Sequence, residues 1–321
     1  MRLTTLHAGL CLSLLLPGTL LAQEAIDESR SVSPNERISI EVVRGTASIR
    51  VSDDNVFRVR GTLDEDAEGF TLDSASGFTH FEVDVPRRLR RGSWLNNDDE
   101  GSQLEFEVPR NAELEFEGVN TDVTVDGVQG SSNVSSVNGE ITARNLAGYV
   151  ELSTVNGTLR SENLSGRLDI STVNGEIHDT GASGRAEYSS VNGEIYVTGS
   201  ATEVTVSTVN GEADIRLQGA EELELSTVNG DIDVRMAGSM SPRVEGSTVS
   251  GDLRLALEPD VNASFDLEAH AGGDIENRLT DERASRRDRY GPGRSLNFST
   301  GDGSGSIEMT TVSGDLEIDS L

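Results

Sequence analysis

The residues with the strongest claim to chemistry are acids that keep returning to one place. Asp122, Glu140, Glu176, Glu194, Glu212, Asp231 and Asp252 each follow a recurring motif of the Val-Asn-Gly type, and Thr158 is the neutral exception. A row of oxygen ligands of this kind could hold Ca²⁺ or Mg²⁺. In stacked copies about 4.8 Å apart, neighbouring carboxylates would repel by roughly 1 kcal/mol per pair in water. The Gly-Gly-x-Gly-x-Asp pattern of calcium-binding repeats is absent. The favoured reading is therefore acids fanning into salt-screened solvent, with a bound divalent cation the less favoured alternative.

Two carboxylates on one face could also serve as acid and nucleophile on a polysaccharide. That chemistry needs one site whose surroundings drive two pKa values apart, whereas these acids occupy near-equivalent places. Aromatics make up only 4% of the chain, few for a sugar-stacking cleft. His80, His178 and His270 sit in unrelated contexts, which argues against a triad or a zinc centre. The expectation is a non-enzyme with no catalytic residue, cofactor or metal. A glycan-binding or glycan-cleaving β-helix is the alternative, and it would require a cleft built from Trp94, several Tyr and two unequal acids.

Two basic clusters interrupt the acidity: Arg87, Arg88, Arg90 and Arg91, then Arg283, Arg286, Arg287, Arg289 and Arg294. Guanidinium groups there could grip a phosphate-bearing envelope polymer bidentately. The competing reading is that they offset Asp98, Asp99, Asp281 and Asp288. Doublets such as Ser153-Thr154, Ser171-Thr172, Ser207-Thr208 and Ser226-Thr227 could present a hydroxyl-rich surface, or serve the strands and turns themselves.

The elements that position these residues come from a repeat. Val-Asn-Gly recurs as Asn138-Gly139, Asn156-Gly157, Asn174-Gly175, Asn192-Gly193 and Asn210-Gly211 at a step of 18 residues, and Asn229-Gly230 follows one residue late. The columns Phe116, Val134, Leu152, Ile170, Tyr188, Val206, Leu225 and Ile141, Leu159, Ile177, Ile195, Ala213, Ile232 are apolar. So is the column Val119, Val137, Val155, Val173, Val191, Val209, Val228. Polar residues alternate between them, the mark of strands buried on one face. Asn-Gly is expected to supply positive φ at the turns, with the Asn side chains aligned as a hydrogen-bonded ladder. A unit this short cannot bury its apolar side alone and must stack on its neighbours. The fold expected is an all-β β-solenoid, parallel β-helix-like, of about ten coils and on the order of 50 Å long.

Residues 1–22 read as a signal peptide, with Arg2, an apolar stretch and cleavage after Ala22. The apolar stretch is too short to span a bilayer, so no transmembrane anchor is expected. The only cysteine, Cys11, lies inside this leader, so the exported chain has no disulfide. Residues 23–113 are β-rich without period and read as an N-terminal cap, 114–259 as regular repeats, and 260–321 as irregular coils with a closing repeat. With 56 acidic against 26 basic residues and a formal charge of −30, nucleic acid is a poor partner. An envelope or surface component, in the periplasm or outside the cell, is expected instead.

The leader, the irregular β-rich opening, the Ser-Thr-Val-Asn-Gly-Glu-Ile unit at 171–177 and the closing Thr-Val-Ser-Gly-Asp-Leu at 311–316 together resemble the bacterial putative-adhesin family of β-strand-repeat proteins. The resemblance covers nearly all of the exported chain. It implies an exported β-solenoid and a domain of unknown function, and it carries no catalytic residues.

Overall fold

The computed structural model describes residues 25–86, 101–286 and 291–321. Every long regular element among them is a β-strand, so the chain is an all-β protein of many strands. The strands form layers that pair in parallel with the layer before and after. In the first stack Phe116 lies beside Val134, Val134 beside Leu152, Leu152 beside Ile170, Ile170 beside Tyr188, and Tyr188 beside Val206. In the second, Val123, Ile141, Leu159, Ile177, Ile195 and Ala213 run in the same register. These side chains are almost all fully buried. Each layer closes its interior only against its neighbours, so the stack is the unit of stability.

Chain order and stack order diverge at both ends. Strand Arg37–Ser52 pairs in parallel with Glu113–Asp126, putting Ile40 beside Phe116 and Ala47 beside Val123. The layered region thus reaches back to Arg37, inside the segment that the sequence assigns to a cap. The intervening chain folds over the outside of that first layer. Phe78–Asp84 and Ser102–Pro109 pair with it in parallel. Gly69–Ala75, Val56–Thr62 and Ala25–Ser31 then close the edges antiparallel.

At the other end Gly305–Thr311 lies between Arg243–Ser250 and Ala263–Ala269, and Leu316–Ser320 lies between Leu253–Leu257 and Ile275–Asn277. The closing repeat is therefore an interior layer and not the last one. Arg294–Ser299 covers Ala263–Ala269 antiparallel, with Ser285–Arg286 outside it. Antiparallel covers of this kind protect parallel edges from adding a foreign strand.

The phenylalanines mark the same two ends. All eight lie at or before Phe116 or at or after Phe265. Phe57, Phe81 and Phe106 interlock beneath the first layer, with ring centroids 6.1 and 5.2 Å apart, and Phe265 stacks on Phe298 at 4.3 Å. Between the ends the repeating layers are filled mainly by aliphatic side chains, Tyr188 being the aromatic among them. An end must seal an open cross-section, and the larger rings do so.

Candidate functional site

The Val-Asn-Gly edge runs along the stack as four adjacent columns with four different environments. Side chains alternate along these strands, so Leu152 points in, Ser153 out, Thr154 in and Val155 out. Asn138, Asn156, Asn174, Asn192, Asn210 and Asn229 stand one above another, each donating its amide to the side-chain oxygen of the Asn in the preceding layer at 2.8–3.1 Å. Asn120 receives the first of these bonds. Each of these side chains keeps its remaining polar groups toward water.

Gly139, Gly157, Gly175, Gly193, Gly211 and Gly230 form the next column, and none has a positive φ. These glycines therefore do not supply the positive φ that the Asn-Gly pairs suggest. Glycine is required because adjacent layers touch: a Cβ on Gly175 would fall 1.9 Å from the carbonyl oxygen of Gly157, and one on Gly193 would fall 1.8 Å from that of Gly175. Positive φ belongs instead to the opposite turn, at Asn145 (54°), Asn163 (56°) and Gly181 (84°).

Two further readings change. The apolar valine column lies outside the core: Val137, Val155, Val173, Val191, Val209 and Val228 face solvent, as do Val249 and Val312. The Thr of each Ser-Thr doublet is not part of a surface: Thr154, Thr172, Thr208, Thr227 and Thr248 are buried, their hydroxyls without a partner. Strand parity decides both cases, overriding side-chain polarity.

The acids after the glycines stand in one exposed column, and the aspartates have a use. Asp122 accepts the N–H of Glu140, Asp231 that of Asp252, Asp252 that of Asp315, and Asp315 that of Asp274, at 2.7–2.9 Å. A short carboxylate thus ties the backbone of one layer to the next. The glutamates turn sideways: Glu140 accepts from Arg160, Glu176 meets His178, and Glu194 accepts from Tyr196, whose phenol is pushed up to about 12 by that bond. Among the described residues no three His, Cys, Asp or Glu side chains converge as a metal ligand set. His80, His178 and His270 lie apart, each beside a Glu two residues away.

Of the basic clusters, Arg87, Arg88, Arg90, Arg91, Arg287 and Arg289 fall outside the described residues, as does Trp94. Arg283 and Arg286 are exposed, and Arg294 pairs with Asp274 at 3.0 Å. A hollow of about 600 Å³ at this end of the stack is crossed by its own charges, Arg254 and Arg278 both closing on Glu317.

A carboxyl joins the buried hydroxyls inside the layers. Asp179 is 2% exposed, in the register place held by Ser161 below it and Val197 above. Burial pushes its carboxyl up to about 6, opposed by hydrogen bonds, chiefly that from the Tyr188 hydroxyl at 2.9 Å. The Tyr188 phenol is raised well above its usual range by its own burial and by Asp179. Sequence reasoning passed over this residue, although parity counted from Ile177 places it inside.

These features define an all-β protein of stacked parallel layers whose outward columns repeat nearly the same residue from layer to layer. The chain belongs to the Toastrack DUF4097 family, a domain of unknown function, whose model matches residues 36–319. That match begins where the first parallel layer does. No curated protein matches the chain. Solved structures similar to it include a putative lipid binding protein from Parabacteroides distasonis, 13% identical over 92% of this chain and 96% of that one, with a TM-score of 0.43. A putative adhesin from Bacteroides fragilis is 10% identical over 93% and 98%, with a TM-score of 0.40. A putative cell adhesion protein from Clostridium sporogenes is 10% identical over 93% and 100%, with a TM-score of 0.23. No helix among the described residues is long and apolar enough to cross a membrane.

Proposed function

We propose that the protein is an exported, non-enzymatic β-solenoid that offers an adhesive or structural surface in the bacterial envelope, in the periplasm or at the cell surface. One observation carries the reading: its outward columns are periodic. Asn, Gly, Ser, Val and acid return at the same place in layer after layer, which distributes chemistry along a face. A catalyst concentrates unlike groups at one point. The leader supports export, and the repeat supports the solenoid description.

The test uses the mature chain, immobilised and exposed to solubilised envelope fractions and, separately, to envelope glycans. Retention of a specific component without release of new reducing ends is expected. Release of reducing ends would overturn the non-enzymatic reading, and failure to retain any component would overturn the adhesive one.

A further inference from the structure

The valine column is the feature the fold leaves unexplained. Asn is needed for its ladder, Gly for the close approach, and the inward Thr fills the layer. The outward Val has no such duty, because Thr or Ser would suit an exposed β position as well. Nonetheless Val137, Val155, Val173, Val191, Val209, Val228, Val249 and Val312 are all Val, each between 38 and 45% exposed. Eight rungs at about 4.8 Å make an apolar crest roughly 34 Å long.

The band around the crest carries no charge. Residues 135–139, 153–157, 171–175, 189–193, 207–211, 226–230, 247–251 and 310–314 contain no Asp, Glu, Arg, Lys or His, in a chain of which 26% is charged. Both borders of the band are acidic. One is the column after the glycines, from Glu140 through Glu176, Glu194 and Glu212 to Asp315. The other is Glu151, Asp169, Glu187, Glu224, Glu245 and Glu308, which share a register on the preceding strands, with neutral Thr205 between Glu187 and Glu224. A second copy meeting crest to crest would press acid against acid, and an anionic lipid surface would meet the same repulsion.

We propose that this edge is a docking surface for a polypeptide partner that presents an apolar strip bordered by Lys or Arg. The inference rests on the adhesive reading above and gives it a site. Apolar contact along the crest supplies affinity, and the acidic borders set register and exclude unlike partners. A crest of about 34 Å matches a strip displayed by about 22 helical residues.

The probe is a 22-residue Leu/Lys peptide with one apolar face, compared by fluorescence anisotropy with a scrambled peptide of identical composition. The mature protein is compared with a variant carrying Val155→Thr, Val173→Thr, Val191→Thr and Val209→Thr, which keeps β-branching and is checked for unchanged circular dichroism. The amphipathic peptide should bind the wild type about tenfold more tightly than the scrambled one, and the variant should lose about that factor for the amphipathic peptide alone. A triple Glu176→Gln, Glu194→Gln, Glu212→Gln variant should flatten the salt dependence.

Equal binding of the two peptides, or undiminished binding by the Thr variant, overturns the proposal. So does self-association in sedimentation, or vesicle binding, that the Thr substitutions abolish, because the crest would then serve a second copy or lipid. In the envelope-capture assay, a component retained equally by wild type and Thr variant would refute the crest while leaving the adhesive reading intact. No component retained by either would refute the adhesive reading.

Discussion

Replacing Asp179 by Asn should stabilise the protein at neutral pH and much less at acid pH. Asp179 is 2% exposed, its carboxyl is raised from 3.8 to about 6, and burial is the leading cause. A carboxyl that holds its proton more tightly when folded stabilises the fold while it is protonated. That contribution is whole below about pH 3.8, is lost as pH rises toward 6, and changes no further above it. A gap of about two pKa units at 1.36 kcal/mol per unit amounts to roughly 3 kcal/mol. Asn keeps an oxygen for the Tyr188 hydroxyl and removes the ionisation. The difference in unfolding free energy between variant and wild type should therefore grow by about 3 kcal/mol in the variant's favour between pH 3.5 and pH 7.5. Urea titrations of both proteins at the two pH values measure it, and the other carboxylates cancel in the difference. A difference that stays constant with pH, or one that moves toward the wild type, would refute the account of a buried Asp179 that holds its proton more tightly in the fold than in the unfolded chain.

The glycine column is strict by steric contact, so Gly175→Ala should cost about 3 kcal/mol or more, because the added methyl would fall 1.9 Å from the Gly157 oxygen and the layers cannot part without losing their ladder. Thermal unfolding within error of wild type would show that the layers have room to move. The buried Thr172 hydroxyl has no partner, so Thr172→Val, equal in shape, should raise stability by about 1 kcal/mol. A lower melting temperature would mean that the hydroxyl is bonded after all.

Much of this was legible because the repeat is nearly exact: the 18-residue step fixes which residues stack, and Leu152, Ile170 and Tyr188 could be placed in one column by counting. The errors came from judging position by polarity. Val155 is apolar and Thr154 polar, yet parity from Leu152 places Val155 outside and Thr154 inside, and parity held. Asn-Gly suggested a φ requirement where the operative constraint was the separation between layers, a tertiary quantity that a single turn does not encode. The first layer, 37–52, escaped notice because the chain between it and the next breaks the period. Most members of the Arg clusters fall outside the described residues.

The interposed layer at the C-terminal end has a consequence for how the chain is made. Strands Ala263–Ala269 and Ile275–Asn277 find their parallel partners only in residues 305–320, which are synthesised later. The hairpin of Ala263–Ala269 with Arg294–Ser299 can form first, as a finished lid. The final residues must then slide between that lid and the layer ending at Leu257, burying Ile307, Met309, Leu316 and Ile318 completely. Long-range closure of this sort is slow. A stop codon near residue 300 would accordingly not trim the stack at its tip; it would remove the layer through which the lid pairs with the rest of the stack.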